Sequence, residues 1–230
     1  QAVAMLTEAA DQGHMDAQGY CGDLYGFGWG VARDERLSFV YRERAAQQGQ
    51  REAQYNTGIH YRDGLGCEQS YERAAEWFQK AALQGDDNAQ NSLGRAYQLG
   101  QGVPQSDEKA FELYQQSAAQ GHSNGQNNLG NCYYSGRGCK QSYERAVELY
   151  RQSAAQGNMW AQYNLAVSQI RLMSRTSAGT TTPKTTQTFR SVTKTAKASP
   201  RTTKRPGGST RWRRHKDSPK QSSSCRNSTS

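Results

Sequence analysis

Apolar and small residues return along this chain at three-and-four spacing in two alternating sets, each the signature of one buried face of an α-helix. The first set is clearest as Ala89, Leu93, Ala96 and Tyr97, with counterparts at Ala53, Ile59 and Tyr61 and at Leu129, Cys132 and Tyr133. The second runs through Ala74, Trp77, Phe78 and Ala81, and again through Ala146, Leu149 and Tyr150. A glycine pair separates the two sets at Gly28-Trp29-Gly30, Gly64-Leu65-Gly66, Gly100-Gln101-Gly102 and Gly136-Arg137-Gly138. The second set closes on a motif near Ala-Ala-x-Gln-Gly at Gly13, Gly49, Gly85, Gly121 and Gly157, at a constant interval of 36 residues. The unit is therefore a helix, a tight loop, a second helix and a glycine stop, and a fixed period in this range predicts a solenoid.

Local signals agree with that frame. Asp34, Ser70, Ser106 and Ser142 stand one period apart where the second helix opens, and each carries an oxygen able to accept from free amides of the first turn. Glu35, Glu72, Glu108 and Glu144 follow at the positive end of the helix dipole. One recurrence runs against propensity: Gly22, Gly58, Gly94 and Gly130 lie inside the first helix, where glycine costs about 1 kcal/mol relative to alanine. A neighbouring helix must approach closely there, and the Ala-Ala end of the preceding unit is the expected neighbour.

Charge divides the chain. Residues 1–170 hold 14 Lys and Arg against 19 Asp and Glu, whereas residues 171–230 hold 15 against 1. An acidic body with a basic appendage is indicated, not a basic nucleic-acid-binding domain. The fifth unit opens with Ala161, Gln162, Tyr163, Asn164 and Leu165, but Ala166 replaces the expected glycine and no Gly-x-Gly follows near 172–174. Two readings of this break stay open: a last helix extended through Val167, Ile170 and Met173 as a cap, or an out-of-frame or mispredicted end. From Ser174 onward the chain is rich in Ser, Thr, Lys, Arg and Pro, a composition that predicts disorder. Within it Lys204, Arg205, Arg211, Arg213, Arg214 and Lys216 are candidates for weak contact with nucleic acid or an acidic membrane, against the plainer reading of a solvated basic tail.

No run of 18 or more apolar residues occurs. At the other end, Ala2, Met5, Leu6, Ala9 and Ala10 stand in register with the second helix of a unit, so Gln1 is read as the start of a truncated array, and a missing signal peptide carries no information. The five cysteines do not pair at a common spacing. Cys67 and Cys139 occupy the position of Val31 and Val103, and Cys21 that of Leu93, which suits small apolar side chains; a Cys132–Cys139 bridge or metal pair stays open as the alternative. The Gly-x-Gly loops lack the flanking pattern of phosphate cradles. His14 and His122 share a register after the terminal glycine and are read as exposed loop residues. His60, on a first helix, has no nucleophile at a useful spacing, so no catalytic constellation, metal site or cofactor is expected.

These residues resemble the Sel-one-like repeats, solenoid relatives of the tetratricopeptide repeat. The likeness rests on Leu93-Gly94-x-x-Tyr97 and Leu129-Gly130-x-x-Tyr133, on Gly100-x-Gly102-Val103, on Lys109-Ala110, Arg73-Ala74 and Arg145-Ala146, and on the Ala-Ala-x-Gln-Gly close. It implies an all-α, right-handed α/α solenoid over residues 1–173, made of an N-terminal half unit, four units and a partial unit, followed by the basic tail over 174–230. It further implies a non-enzymatic scaffold or adaptor whose concave surface binds a protein or peptide partner, with no small-molecule substrate. The compartment stays open between cytoplasm and an association with the endoplasmic reticulum. Cysteine-rich relatives linked to β-lactam hydrolysis supply the alternative, but the paired cysteines that mark them are missing here. In related solenoids the first helices line the groove. The candidates are therefore Asn56, Ser92, Asn128 and Asn164 with Tyr55, Asn91, Asn127 and Tyr163 beside them, amides and hydroxyls suited to an extended peptide backbone. A parallel row, Gln18, Gln54, Gln90, Gln126 and Gln162, is expected instead to bond neighbouring units.

Overall fold

The computed structural model describes the backbone of residues 1–177 and the side chains of residues 1–171. Ten α-helices occupy this region: α1 (Ala2–Asp11), α2 (Met15–Phe27), α3 (Glu35–Gln47), α4 (Arg51–Asp63), α5 (Tyr71–Leu83), α6 (Asp87–Leu99), α7 (Asp107–Ala119), α8 (Ser123–Ser135), α9 (Tyr143–Ala155) and α10 (Met159–Ser177). No strand occurs among the described residues. None of these helices is long and apolar enough to cross a membrane. Helices α2 and α3, α4 and α5, α6 and α7, and α8 and α9 form four antiparallel pairs, and each second helix packs on the first helix of the next pair. This is the expected all-helical solenoid.

The predicted caps form. Asp34, Ser70, Ser106 and Ser142 adopt extended backbone and accept hydrogen bonds from first-turn amides of α3, α5, α7 and α9. His14 and His122 are not bare loop residues: each is the N-cap of a first helix, its Nδ1 accepting from the amide of Ala17 or Gly125, in the place that Asp86 takes in α6. Imidazole serves because a neutral ring offers one acceptor nitrogen at the right reach.

Small side chains set the spacing between units. Ala45, Ala81, Ser117 and Ser153 lie one period apart, fully buried, where the end of a second helix meets the next first helix. Where serine replaces alanine the hydroxyl is satisfied: Ser117 Oγ donates to the carbonyl of Asp87 and Ser153 Oγ to that of Ser123. At Gly66, Gly102 and Gly138 the second glycine of the loop pair lies against backbone of the preceding unit. Gly102 has φ +71°, and a Cβ there would lie 2.0 Å from the carbonyl oxygen of Tyr71 in the preceding unit.

The in-helix glycines correct one expectation. Their close neighbour is the second helix of their own unit, not the Ala-Ala end of the preceding one. A Cβ on Gly58, Gly94 or Gly130 would fall under 3 Å from the ring of Phe78, Tyr114 or Tyr150, and on Gly22 it would meet Arg42. Helix α10 shows the converse: with no second helix following it among the described residues, position 166 is exposed and carries alanine.

Candidate functional site

The first helices α2, α4, α6, α8 and α10 stand in succession along one side of the array, and α6 touches α8 directly. Helical spacing then places residues five and four positions into each helix at successive junctions. At the α4–α6 junction Tyr55 and Ser92 border one cleft, and burial pushes the Tyr55 phenol up, with Ser92 acting in the opposite direction. At α6–α8, Asn128 Nδ2 donates to Asn91 Oδ1 at 2.8 Å. At α8–α10, Asn164 Nδ2 donates to Asn127 Oδ1 at 3.0 Å and to Asn131 Oδ1 at 3.2 Å. The structure thus joins four of the eight candidate groove residues, Asn91 with Asn128 and Asn127 with Asn164, in one bond repeated between units. Asn91 and Asn127 are buried, while Tyr55, Asn56, Ser92, Asn128 and Asn164 keep partial exposure. Tyr163 stands 65% exposed on α10, and Asn56 borders a cleft together with Gly19 and Tyr20 of α2.

The glutamine row is structural, as expected. Gln54 is buried, its Nε2 donating to the Ala46 carbonyl, while Gln84 Nε2 donates to Gln54 Oε1 and to the Gly49 carbonyl. The pairs Gln48–Gln18, Gln120–Gln90 and Gln156–Gln126 repeat this bond at 2.7–2.8 Å. Gln162 alone is exposed.

Two clefts open on the first-helix side. One, of about 240 Å³, is bordered by Asp16, Asp23, Glu52, Tyr20 and Asn56 together with Arg42. Arg42 is committed there: it donates to Asp23 Oδ1 at 2.7 Å and contacts His60 Nε2 at 2.7 Å. Since arginine only donates, His60 accepts at Nε2, and its Nδ1–H donates to the Leu65 carbonyl at 2.6 Å. Burial holds the His60 pKa below the ordinary value. The second cleft, of about 200 Å³, lies between α4, α5 and α6 and is lined by Tyr55, Arg62, Tyr71, Phe78, Asn91, Ser92, Arg95 and Asn124. Arg62 and Arg95 escaped the sequence reading because their registers do not repeat: Gln98 and Tyr134 follow Arg62, while Ile59 and Asn131 flank Arg95. A search for recurring residues passes over the positions where units differ.

The four cysteines of the described region are free. Cys21 and Cys132 are buried; Cys67 and Cys139 pack beside the core. Burial raises every one of these thiols, Cys132 to about 12. The tail candidates Lys204, Arg205, Arg211, Arg213, Arg214 and Lys216, with the disorder expected of that segment, lie outside the described residues.

Among curated proteins nothing matches. Among solved structures, a protective antigen of uropathogenic Escherichia coli with an SLR fold is 34% identical with a TM-score of 0.70, over 74% of this chain and 36% of its own. A Sel1 repeat protein from Oxalobacter formigenes is 30% identical with a TM-score of 0.67, over 71% of this chain and 65% of its own. The chain thus spans about a third of the first relative and just under two thirds of the second. The family model described as Sel1 repeat matches residues 1–14, 16–50, 51–86, 87–122 and 123–158. The chain belongs to the Sel1 repeat family, whose members are typically scaffolds for protein interaction.

Proposed function

We propose that this array is a non-enzymatic scaffold that binds an extended segment of a protein partner along the face made by its first helices. The observation that carries the reading is the bond repeated at two successive junctions, Asn91–Asn128 and Asn127–Asn164. Each side-chain amide has two N–H donors and an oxygen with two lone pairs, and the bonds between units engage only part of that capacity. The remaining donors and acceptors are held in fixed directions, so a peptide backbone laid across them meets groups that lose little freedom on binding. The family's general role in protein interaction supports the same reading.

A cysteine-based hydrolase has less support. A nucleophilic thiol needs its pKa lowered, and burial raises all four thiols of the described region. The test of the scaffold reading is affinity capture with the whole chain, compared with an Asn128→Ala/Asn164→Ala variant whose melting temperature is measured alongside. Loss of captured partners from a folded variant is the expected result; an unchanged set of partners discards the site.

A further inference from the structure

We infer that the cleft between α4, α5 and α6 receives a carboxylate of the bound segment, so that the groove selects peptides presenting an acidic group at this point. The inference rests on the peptide-scaffold reading and adds the partner's chemistry to it. The folded body carries more acid than base, 14 Lys and Arg against 19 Asp and Glu over residues 1–170, yet the lining of this cleft holds two arginines and no carboxylate.

The two arginines differ in what they have left to offer. Arg62 is gripped from the side by Asp63, Nε to Oδ1 and Nη2 to Oδ2, both at 2.7 Å. That bond is the main cause of the lowered Asp63 pKa, and the field of Arg95 adds a smaller part. Asp63 lies between the two bases, and Tyr55 on the same lining also feels Asp86 and Asp87, so the positive field is local to the two guanidinium groups. Arg95 is exposed and makes no hydrogen bond among the described residues, so its five donors are available to a planar carboxylate, which guanidinium binds through two parallel bonds. Tyr55, Asn91 and Asn124 border the same space with hydroxyl and amide groups that hold a flanking backbone.

The neighbouring cleft sharpens the selection. Asp16, Asp23 and Glu52 face it, and its one arginine is already tied to Asp23 and His60. An acidic group placed there is repelled. The two clefts lie one unit apart, one bordered by residues of α2 and α4 and the other by residues of α4 and α6, so a segment laid along the first helices meets opposite charge in successive units. That reversal gives the partner a register: an acidic group fits over Arg95 and is excluded one unit away toward α2.

The carboxylate can come from an Asp or Glu side chain or from a chain end, and one experiment separates them. The full chain is panned against a phage-displayed random dodecapeptide library fused to the coat through its C-terminus, in parallel with Arg95→Gln and Arg95→Glu variants of matched melting temperature. The best peptides are then synthesised amidated and with a free carboxyl end, each with its acidic residue kept or changed to the amide, and titrated at low and high salt. The expected result is a shared Asp or Glu whose amide replacement weakens wild-type binding roughly tenfold, an amount typical of a charged hydrogen bond, with no such loss on either variant. Tighter binding of the free-carboxyl form than of the amidated one assigns the group to a chain end. Peptides that bind without an acidic group, or the same acidic motif selected by Arg95→Glu, overturn the inference while leaving the scaffold intact. Enrichment of no peptide at all overturns the scaffold reading and this one with it.

Discussion

Tyr114 packs its ring against the bare α-carbon of Gly94, so that a methyl group at position 94 would lie 2.8 Å from Cε1 of the ring. The Tyr114 hydroxyl donates to Gln98 Oε1 at 2.9 Å, one turn further along the helix that carries Gly94, so the ring cannot retreat without breaking that bond. The same pairing recurs as Gly58–Phe78 and Gly130–Tyr150. A costly residue inside a helix is thus the seat of a buried aromatic ring of its partner helix.

Gly94→Ala should lower stability even though alanine gains about 1 kcal/mol of helix propensity, because overpacking of a filled core costs about 1–3 kcal/mol; Gly94→Leu should lower it further. Equilibrium denaturation with urea measures both. A variant as stable as the parent removes the packing account.

Two glycines with similar backbone conformation should respond differently. Gly121 has φ +86° with nothing within 4 Å of an added Cβ, whereas Gly102 has φ +71° and the Tyr71 carbonyl 2.0 Å away. Gly121→Ala should cost only the left-handed backbone strain of about 1–2 kcal/mol. Gly102→Ala adds a backbone clash across two units, so its melting temperature should fall clearly further. Equal losses would mean that conformation alone, not the contact between units, requires the second glycine.

Gln84→Ala removes the donor to Gln54 Oε1 and to the Gly49 carbonyl, leaving a buried amide oxygen without its partner. The expected loss is about 1–3 kcal/mol, although Gln84 is itself exposed. Replacement of exposed Gln79 serves as the comparison, with little change in the urea midpoint; similar midpoints for both would deny the ladder a role.

His60 should make stability depend on pH. Burial holds its folded-state pKa below the ordinary histidine value, and the charge of Arg42 acts in the same direction. The unfolded chain therefore binds this proton first, and stability present above about pH 6.5 declines as pH falls through the unfolded pKa toward the lower folded one. The slope of unfolding free energy between about pH 7 and pH 5 should flatten in His60→Gln. An unchanged slope would assign the effect to other groups.

The glycine positions show which parts of the array were legible. The 36-residue period, the second-helix caps and the tight loops each follow from residues close together in sequence. The requirement for no side chain at Gly94 was equally visible, but its cause was not, because Tyr114 lies twenty residues away and sequence recurrence does not say which face of which helix it meets. The Asn and Tyr row was visible as a row. That it is bonded to itself across units, with Asn91 and Asn127 buried, depends on how far one first helix is offset from the next. Arg62 and Arg95 stayed hidden because they recur nowhere in the array.

What the sequence determined by itself is the unit: where helices begin, where they stop and how often they repeat, since capping, left-handed glycine and apolar spacing are local energies. What only the tertiary structure decided is the use of each polar residue. Stacking placed the glutamines in bonds between units, left part of the asparagine row facing outward, and gathered two unrelated arginines around one cleft, because distances between side chains of different units are set by the packing of whole helices.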